Sequence, residues 1–208
     1  MPKLGYLTAS DFSQIMVEAD MKKGAGFFGQ GCNTLATEMA LKNNFVDFPE
    51  GYVSFDMQRG IDLELTAIDY YEMKNCVKVV NKQLWKTDSV LPFLGCHTDG
   101  VVGFETGVIE VKCPNQMNHY VNLKSAAQYH SKYKDQCQGV AMIWGAKWLD
   151  FISFDDRFHE DSQLFIERFD VDLDWQQTFR DRAKLFWESV YTPKFEEVQK
   201  TLLNNKTK

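Results

Sequence analysis

The chain has 208 residues, 44% hydrophobic and 14% aromatic, which suffices for one sizeable core but is short for two independent ones, so a single domain over residues 1–208 is expected. A charged fraction of 25%, with no repeat, low-complexity tract or block of like charge, excludes a fibrous or disordered chain and leaves only the tail from Asn204 to Lys208 expected to be loose. The net charge of −6 excludes a protein coated in nucleic-acid-binding surface, so any polyanionic partner must be met by basic groups gathered in a groove or channel.

The N-terminus lacks the charged-then-apolar layout of a secretory signal, and no stretch approaches the roughly 18 uninterrupted apolar residues of a membrane span. A soluble, cytoplasmic protein is expected. Its five cysteines, Cys32, Cys76, Cys96, Cys113 and Cys137, are odd in number and form no C-x-x-C pair, so reduced thiols are expected rather than a zinc site or an iron–sulfur cluster.

In chain order, Thr8-Ala9-Ser10-Asp11 reads as a helix start, with Thr8 or Ser10 as cap and Phe12, Ile15, Met16 and Ala19 as the apolar stripe; Gly24 and Gly26 end it. A second helix is predicted from about Asn33 to Lys42, a loop through Phe48 to Gly51, and a third helix from about Gln58 to Lys74. Val77 to Val80, Leu91 to His97, Val101 to Phe104 and Val108 to Val111 are short β-rich runs, with Asp99-Gly100 and Thr106-Gly107 as turns, which together predict an antiparallel meander. A helix over Ser125 to Met142 then precedes strands at Trp148 to Phe154 and Leu164 to Phe169. A helix from about Asp174 to Val190 and a short one after Pro193 close the chain. Helices, sheet, helix, sheet, helices: the order predicts an α/β (α+β) fold with a central mixed sheet flanked by helices.

Within Gly107-Val108-Ile109-Glu110-Val111-Lys112, side chains alternate, so Glu110 and Lys112 share one face and Ile109 and Val111 the other. Taken alone, such a pair serves equally as an exposed ion pair. Eleven residues upstream, Asp99 lies in an Asp-Gly turn that a hairpin folds back toward Glu110; Asp-Gly is also ordinary turn chemistry, which explains the turn but not the convergence. On the third helix, Glu64 falls inside the apolar arc of Ile61, Leu65, Ala67, Ile68 and Tyr71, where burial demands a cation, either a metal or a structural salt bridge. Gln136 sits at helical spacing among Tyr129, Tyr133, Val140 and Ile143, where its amide needs either a backbone partner or a role in a site. Together Asp99, Glu110 and Glu64 offer hard oxygen ligands suited to Mg²⁺ or Mn²⁺, with Lys112 to orient water or stabilise a phosphoryl transition state. The chemistry that fits is phosphodiester hydrolysis.

Five segments, in this order, carry a resemblance to a known family. They are Leu4-Gly5-Tyr6-Leu7-Thr8-Ala9-Ser10; Arg59-Gly60-Ile61-Asp62-Leu63-Glu64-Leu65-Thr66-Ala67; Asp99-Gly100; Gly107-Val108-Ile109-Glu110-Val111-Lys112-Cys113-Pro114; and Gln136-Cys137-Gln138. The chain resembles the bacteriophage lambda exonuclease and YqaJ-like viral recombinase family, over about residues 3 to 190. The E-V-K-C-P element and the G-x-x-x-E-x-x-A helix together are the specific part. The resemblance implies a restriction-endonuclease-like PD-(D/E)xK core and a Mg²⁺-dependent 5′→3′ exonuclease that degrades one strand of linear duplex DNA to mononucleotides, leaving a 3′ overhang. It implies Asp99, Glu110 and the Val111 carbonyl as metal ligands, with Glu64 as a further ligand or water-binding carboxylate and two ions per site. Lys112 would be the catalytic lysine, Gln136 the active-site glutamine, and Ser10 a contact to the terminal 5′-phosphate. It further implies a homotrimeric ring around duplex DNA, a single-strand annealing protein as partner, and a phage or prophage origin in a bacterial host. Two departures stand out: Lys3 replaces the family's arginine before Leu-Gly, and His97 replaces its serine two residues before Asp99. Both are candidate phosphate contacts, although lysine lacks arginine's bidentate fork and His97 is equally a polar strand-end residue. The alternatives are a PD-(D/E)xK endonuclease, or a non-catalytic DNA-binding or assembly subunit.

Overall fold

The computed structural model describes residues 5–18, 27–44, 53–103 and 106–204, with the backbone alone for 126–130. Lys3, Ala19, Gly24, Gly26 and the loop through Phe48 to Gly51 lie outside the described residues, as do the last four of the chain. The polypeptide gathers into two compact units, one from residues 1–50, 87–95 and 173–208 and the other from residues 51–86 and 96–172. Among the described residues no helix is long and apolar enough to cross a membrane.

The first unit is largely helical. Strand β1 (Leu7–Thr8) pairs in parallel with Leu94 and Gly95 at the start of β3 (Leu94–Thr98). A 3₁₀ turn (Ala9–Asp11) leads into α1 (Phe12–Met16), shorter than predicted because Val17 turns extended and Glu18 bridges antiparallel to Phe28. Helix α2 (Gln30–Lys42) matches its prediction within the usual fraying of helix ends. Helix α7 (Leu173–Phe186) runs through one π-helical turn (Trp187–Tyr191) into α8 (Thr192–Asn204), where the sequence suggested a break and a short helix after Pro193. Pro193 follows directly on that turn: inside a continuous helix its missing N–H leaves a carbonyl one turn back without its usual donor, and a π-helical widening is one of the ways a helix accommodates such a break. Phe12 packs on Phe179 at 4.2 Å between ring centroids, and Phe28 meets Phe186 edge-on.

The second unit carries a four-stranded mixed sheet in the order β4 (Gly100–Val102), β5 (Gly107–Lys112), β6 (Trp148–Phe154), β7 (Leu164–Asp170). The β4–β5 and β6–β7 pairs are antiparallel and β5–β6 is parallel. The predicted hairpin is therefore present. The longer meander is not: β3 belongs to a separate sheet, between β1 and β2 (Leu84–Thr87), and Val80 contributes only an isolated bridge to Val101. Asp99 is the single residue between the two sheets.

Helix α3 (Phe55–Asn75) starts at Ser54, whose side chain accepts from the Met57 N–H, and ends at Cys76 in the left-handed conformation. Its buried face is Ala67, Ile68 and Tyr71, packed against Ile109, Val111 and Ile152. Ile61 and Leu65 are more than half exposed, so the core-facing stripe is narrower than the sequence suggested, and Glu64 is half-buried rather than buried. On the other face of the sheet lies α5 (Ala126–Trp144), preceded by α4 (Gln116–Lys124), a helix not predicted. Tyr133 of α5 stacks on Phe151 of β6 at 5.0 Å. A short α6 (Glu160–Gln163) precedes β7.

Directly opposite Asp150 in the β6–β7 register stands Arg168, which donates to both carboxylate oxygens at 2.7 and 2.8 Å while Tyr71 donates a third bond at 2.8 Å. The Arg168 guanidinium also lies 3.9 Å over the Trp148 ring. At Gly107, across the β5–β6 pair, a Cβ would overlap that same ring. Gly107→Ala is therefore expected to cost about 1–3 kcal/mol, the range for overpacking a dense interior. Thermal unfolding checks it, and an unchanged Tm would show that the Trp148 ring yields freely.

Candidate active site

Strand β5 presents Glu110 and Lys112 on the α5 face of its sheet, as the alternation required. Glu110 is 2% exposed, and its Oε1 accepts from Lys112 Nζ at 2.6 Å and from Gln136 Nε2 of α5 at 2.5 Å. The Lys112 ammonium lies 5.8 Å from the Tyr133 ring centroid. Asp99 enters from the step just before β4. The β4–β5 ladder ends at Gly100 opposite Ile109, and the Asp99 carboxylate takes the Val111 N–H two residues further along at 2.6 Å. Asp99 and Lys112 are thus brought to Glu110 by backbone geometry on one strand.

Glu64 reaches the same cleft from α3. Together with Gly60, Ile61, Val111, Lys112 and Tyr133 it lines a cavity of about 460 Å³ that also takes in Cys113, Pro114 and the Asn115 cap of α4. Gln83 donates to Glu64 Oε1 at 2.9 Å, a contact the sequence did not signal, and Lys132 is a second ammonium lining the cleft. His97 is exposed on β3 in this unit, with Nδ1 2.9 Å from the Gln83 carbonyl. Because a carbonyl only accepts, Nδ1 carries the proton and Nε2 remains for other partners. Ser10 belongs to the other unit. It is exposed at the 3₁₀ turn, with its hydroxyl 2.9 Å from that of Thr8, which in turn donates to Asp11. Beside the cleft, Asp155 is held by both arms of Arg157 and by Arg59, which also pairs with Asp156.

The electrostatics follow from crowding carboxylates on one ammonium. Burial and then the neighbouring Glu110 charge hold the Asp99 carboxyl well above the usual carboxylate range, with Glu64 adding to the effect. Burial works against the Lys112 ammonium, but Glu110 and Asp99 outweigh it, and the pKa is raised above that of ordinary lysine. The carboxylate neighbours thus favour the ammonium form of Lys112. The thiols of Cys96 and Cys113 are pushed up to about 12, chiefly by burial and then by Glu110 and Glu64 respectively, so they stay protonated near neutrality and offer no thiolate.

Surplus negative charge with hard oxygen donors is the chemistry of a Mg²⁺ or Mn²⁺ site. Among the described residues, no three His, Cys, Asp or Glu side chains stand close enough to enclose an ion by themselves. Mg²⁺ does not need such a cage, since it is usually held by one or two carboxylates with water and phosphate oxygens completing the shell. Asp99, Glu110 and the Val111 carbonyl would be the groups to meet that smaller demand, and Glu64 lines the same cleft.

A mixed sheet between helices, with Asp, Glu-x-Lys and a helical glutamine meeting at one strand end, defines a fold of the PD-(D/E)xK nuclease type. The family model described as "YqaJ-like viral recombinase domain" matches residues 2–147, and the chain belongs to that family. An alkaline exonuclease from Laribacter hongkongensis, LHK-Exo, is similar in structure at TM-score 0.80 and 25% identity, over 97% of this chain and 95% of that one; its complex with dAMP matches equally well. A phage-related exonuclease from Haemophilus somnus 129PT shares the fold at TM-score 0.73 and 17% identity, over 95% of this chain and 96% of that one. No curated protein matches the sequence significantly.

Replacing Asp99 by asparagine removes a charge that Glu110 and Glu64 repel while retaining an acceptor for the Val111 N–H. In metal-free buffer at neutral pH, Asp99→Asn is expected to raise Tm, by about 2–4 °C for each 1 kcal/mol of repulsion relieved. The sign fixes the pH dependence. The folded-state pKa of Asp99 is raised, so its ionised form destabilises the fold, and the advantage of asparagine shrinks as pH falls through that pKa and the wild-type carboxyl protonates. Melting curves with EDTA at neutral and acid pH test this, and a wild type as stable as the variant at neutral pH would show the charges to be effectively screened.

Proposed function

We propose that the chain is a Mg²⁺-dependent 5′→3′ exonuclease that degrades one strand of linear duplex DNA to mononucleotides and leaves a 3′ overhang. What carries the reading is the meeting of Asp99, Glu110, Lys112 and Gln136 on one strand end beside an open cleft, in a chain of this family. The similarity to exonucleases, one of them bound to a nucleoside monophosphate, supports mononucleotides as products.

In this mechanism Asp99, Glu110 and the Val111 carbonyl would hold the ions, two per site, with Mn²⁺ able to substitute. A bound divalent ion lowers the pKa of water and neutralises charge on the leaving oxygen. The Lys112 ammonium, paired with Glu110, donates its N–H groups to the attacking water and to the phosphoryl oxygens as charge builds on them. Gln136 holds Glu110 in a fixed rotamer, so that the carboxylate is presented without reorganisation. Glu64 orients water on the α3 side of the cleft. We assign the terminal 5′-phosphate to Ser10 and Lys3, with His97 Nε2 as a further candidate contact. A homotrimeric ring would reconcile an acidic chain with DNA binding, because positive charge is needed only along a central channel, and a single-strand annealing protein would receive the overhang.

Duplex DNA labelled at one 5′ or one 3′ end, incubated with Mg²⁺ alongside a closed circle and an EDTA control, tests the proposal. Release of the 5′ label as mononucleotide, with the circle intact and EDTA abolishing the reaction, is the expected result. Opening of the circle would instead mark an endonuclease, and binding without cleavage a non-catalytic subunit. Lys112→Gln keeps a donor for Glu110 but removes the charge, and is expected to lower kcat by about 100-fold or more, the scale of losing one preorganised charge-stabilising donor. A rate like that of the wild type would remove Lys112 from the chemistry. Ser10→Ala is expected to weaken the preference for 5′-phosphorylated over 5′-hydroxyl ends, and an unchanged preference would remove Ser10 from the site.

A further inference from the structure

The turn between α3 and β2 holds two non-glycine residues in the left-handed conformation, Asn81 at φ 53° and Gln83 at φ 56°. Left-handed backbone is disfavoured for residues with a Cβ and persists where surrounding contacts impose it. Two such contacts are present at Gln83. Its main-chain carbonyl accepts the Nδ1–H of His97 at 2.9 Å, and its side-chain amide donates to Glu64 Oε1 at 2.9 Å. His97 is itself braced edge-on by Trp85, with ring centroids 5.3 Å apart. A chain of contacts thus runs from Trp85 through His97 and the strained turn to a carboxylate lining the cleft.

Resting on the nuclease reading above, we propose that Gln83 is a positioning residue for Glu64, and that His97 serves the site by pinning the Gln83 turn. Glu64 stands on α3 with its side chain half-buried, and no cation pairs with it among the ion pairs of the described residues. A glutamate rotates about three side-chain bonds, so a free carboxylate at the rim of a cleft samples several placements. The Gln83 amide selects one of them. With Oε1 engaged, water or a metal is taken by Oε2 or by the second lone pair of Oε1, in a fixed direction. An amide is suited to this task because it adds no charge: a lysine at position 83 would neutralise Glu64, and a glutamate would repel it. Partners of this kind, one shell out from a metal, fix ligand orientation and influence affinity.

Gln83→Gly tests the proposal, because it relieves the left-handed strain while removing the amide and therefore leaves the fold secure. Mn²⁺ binding is followed by electron paramagnetic resonance, independently of cleavage, with Glu64→Gln and the double variant in parallel. Gln83→Gly is expected to weaken Mn²⁺ binding by about ten-fold, the lower end for loss of such a partner, and to raise the Mn²⁺ needed for half-maximal cleavage with KM for DNA unchanged. In the Glu64→Gln background the same substitution is expected to add nothing, which a merely structural role for the turn would not produce. His97→Ala should reproduce part of the effect, and His97→Asn, which can still donate to the Gln83 carbonyl, should restore it. If wild type binds Mn²⁺ and cleaves but Gln83→Gly is indistinguishable from it, the positioning role is overturned and the nuclease reading stands. If wild type neither binds Mn²⁺ nor cleaves, both fall together.

Discussion

Glu110 is a carboxylate placed almost wholly out of water on a central strand of a sheet, and much of the second unit is arranged around that constraint. An unpartnered charge in such a position would cost several kcal/mol. Here two donors meet it, Lys112 from the same strand face and Gln136 from the helix packed above, both on the same oxygen. The first donor follows from strand alternation alone. The second requires that α5 cross the sheet at one particular register, with the Tyr133–Phe151 stack holding it there. Glu110, Lys112 and Gln136 are thus carried on rigid elements, which keeps their geometry at the precision that phosphoryl chemistry demands.

The same constraint sets the electrostatics. Asp99 is held against the β5 backbone close to Glu110, so the carboxylate charges accumulate faster than Lys112 offsets them. The raised pKa of Asp99 and the raised pKa of Lys112 are two expressions of one field, the first reporting surplus negative charge and the second reporting its attraction for a proton. Stability is given up at this point, and a functional site is where such a concession is expected. Two buried carboxylates elsewhere in the same unit are matched: Asp150 receives both arms of Arg168 and the Tyr71 hydroxyl, and Asp155 receives Arg157 and Arg59. Matched pairs on β6 and just beyond it therefore stand beside an unmatched cluster on β5.

The reading of α3 from sequence illustrates where periodicity misleads. Ile61 and Leu65 are apolar and correctly spaced, yet they are more than half exposed, and Ile61 lines the cleft. A cleft wall and a core face are both apolar at helical spacing, so the moment of a helix does not say which is which. Glu64 falls within that stripe by spacing, where full burial would demand a cation; half-buried at the cleft, it lines the cavity with Ile61 instead. The meander was overestimated for a related reason. β-rich runs announce strands but not the sheet they join, and Asp99 turned out to be the step between two sheets rather than the tip of one hairpin.

Local period decided what was legible. Glu110 and Lys112 on one strand face, Gln136 on a helix and the β4–β5 hairpin follow from spacings within a few residues, and each is where the sequence alone places it. The family, too, was carried by short ordered segments, and its model spans residues 2–147. Tertiary structure alone decided that Asp99 takes the Val111 N–H, that α4 precedes α5, and that Gln83 touches Glu64. The last of these needs a left-handed turn at a non-glycine residue and a partner 19 positions away, neither of which has a local signature. Sequence determines which groups are available on each face of an element, because backbone periodicity is intrinsic to the chain. Which of those groups meet is set by packing between elements, where close contacts and shared hydrogen bonds select one register from the many that the same periodicities allow.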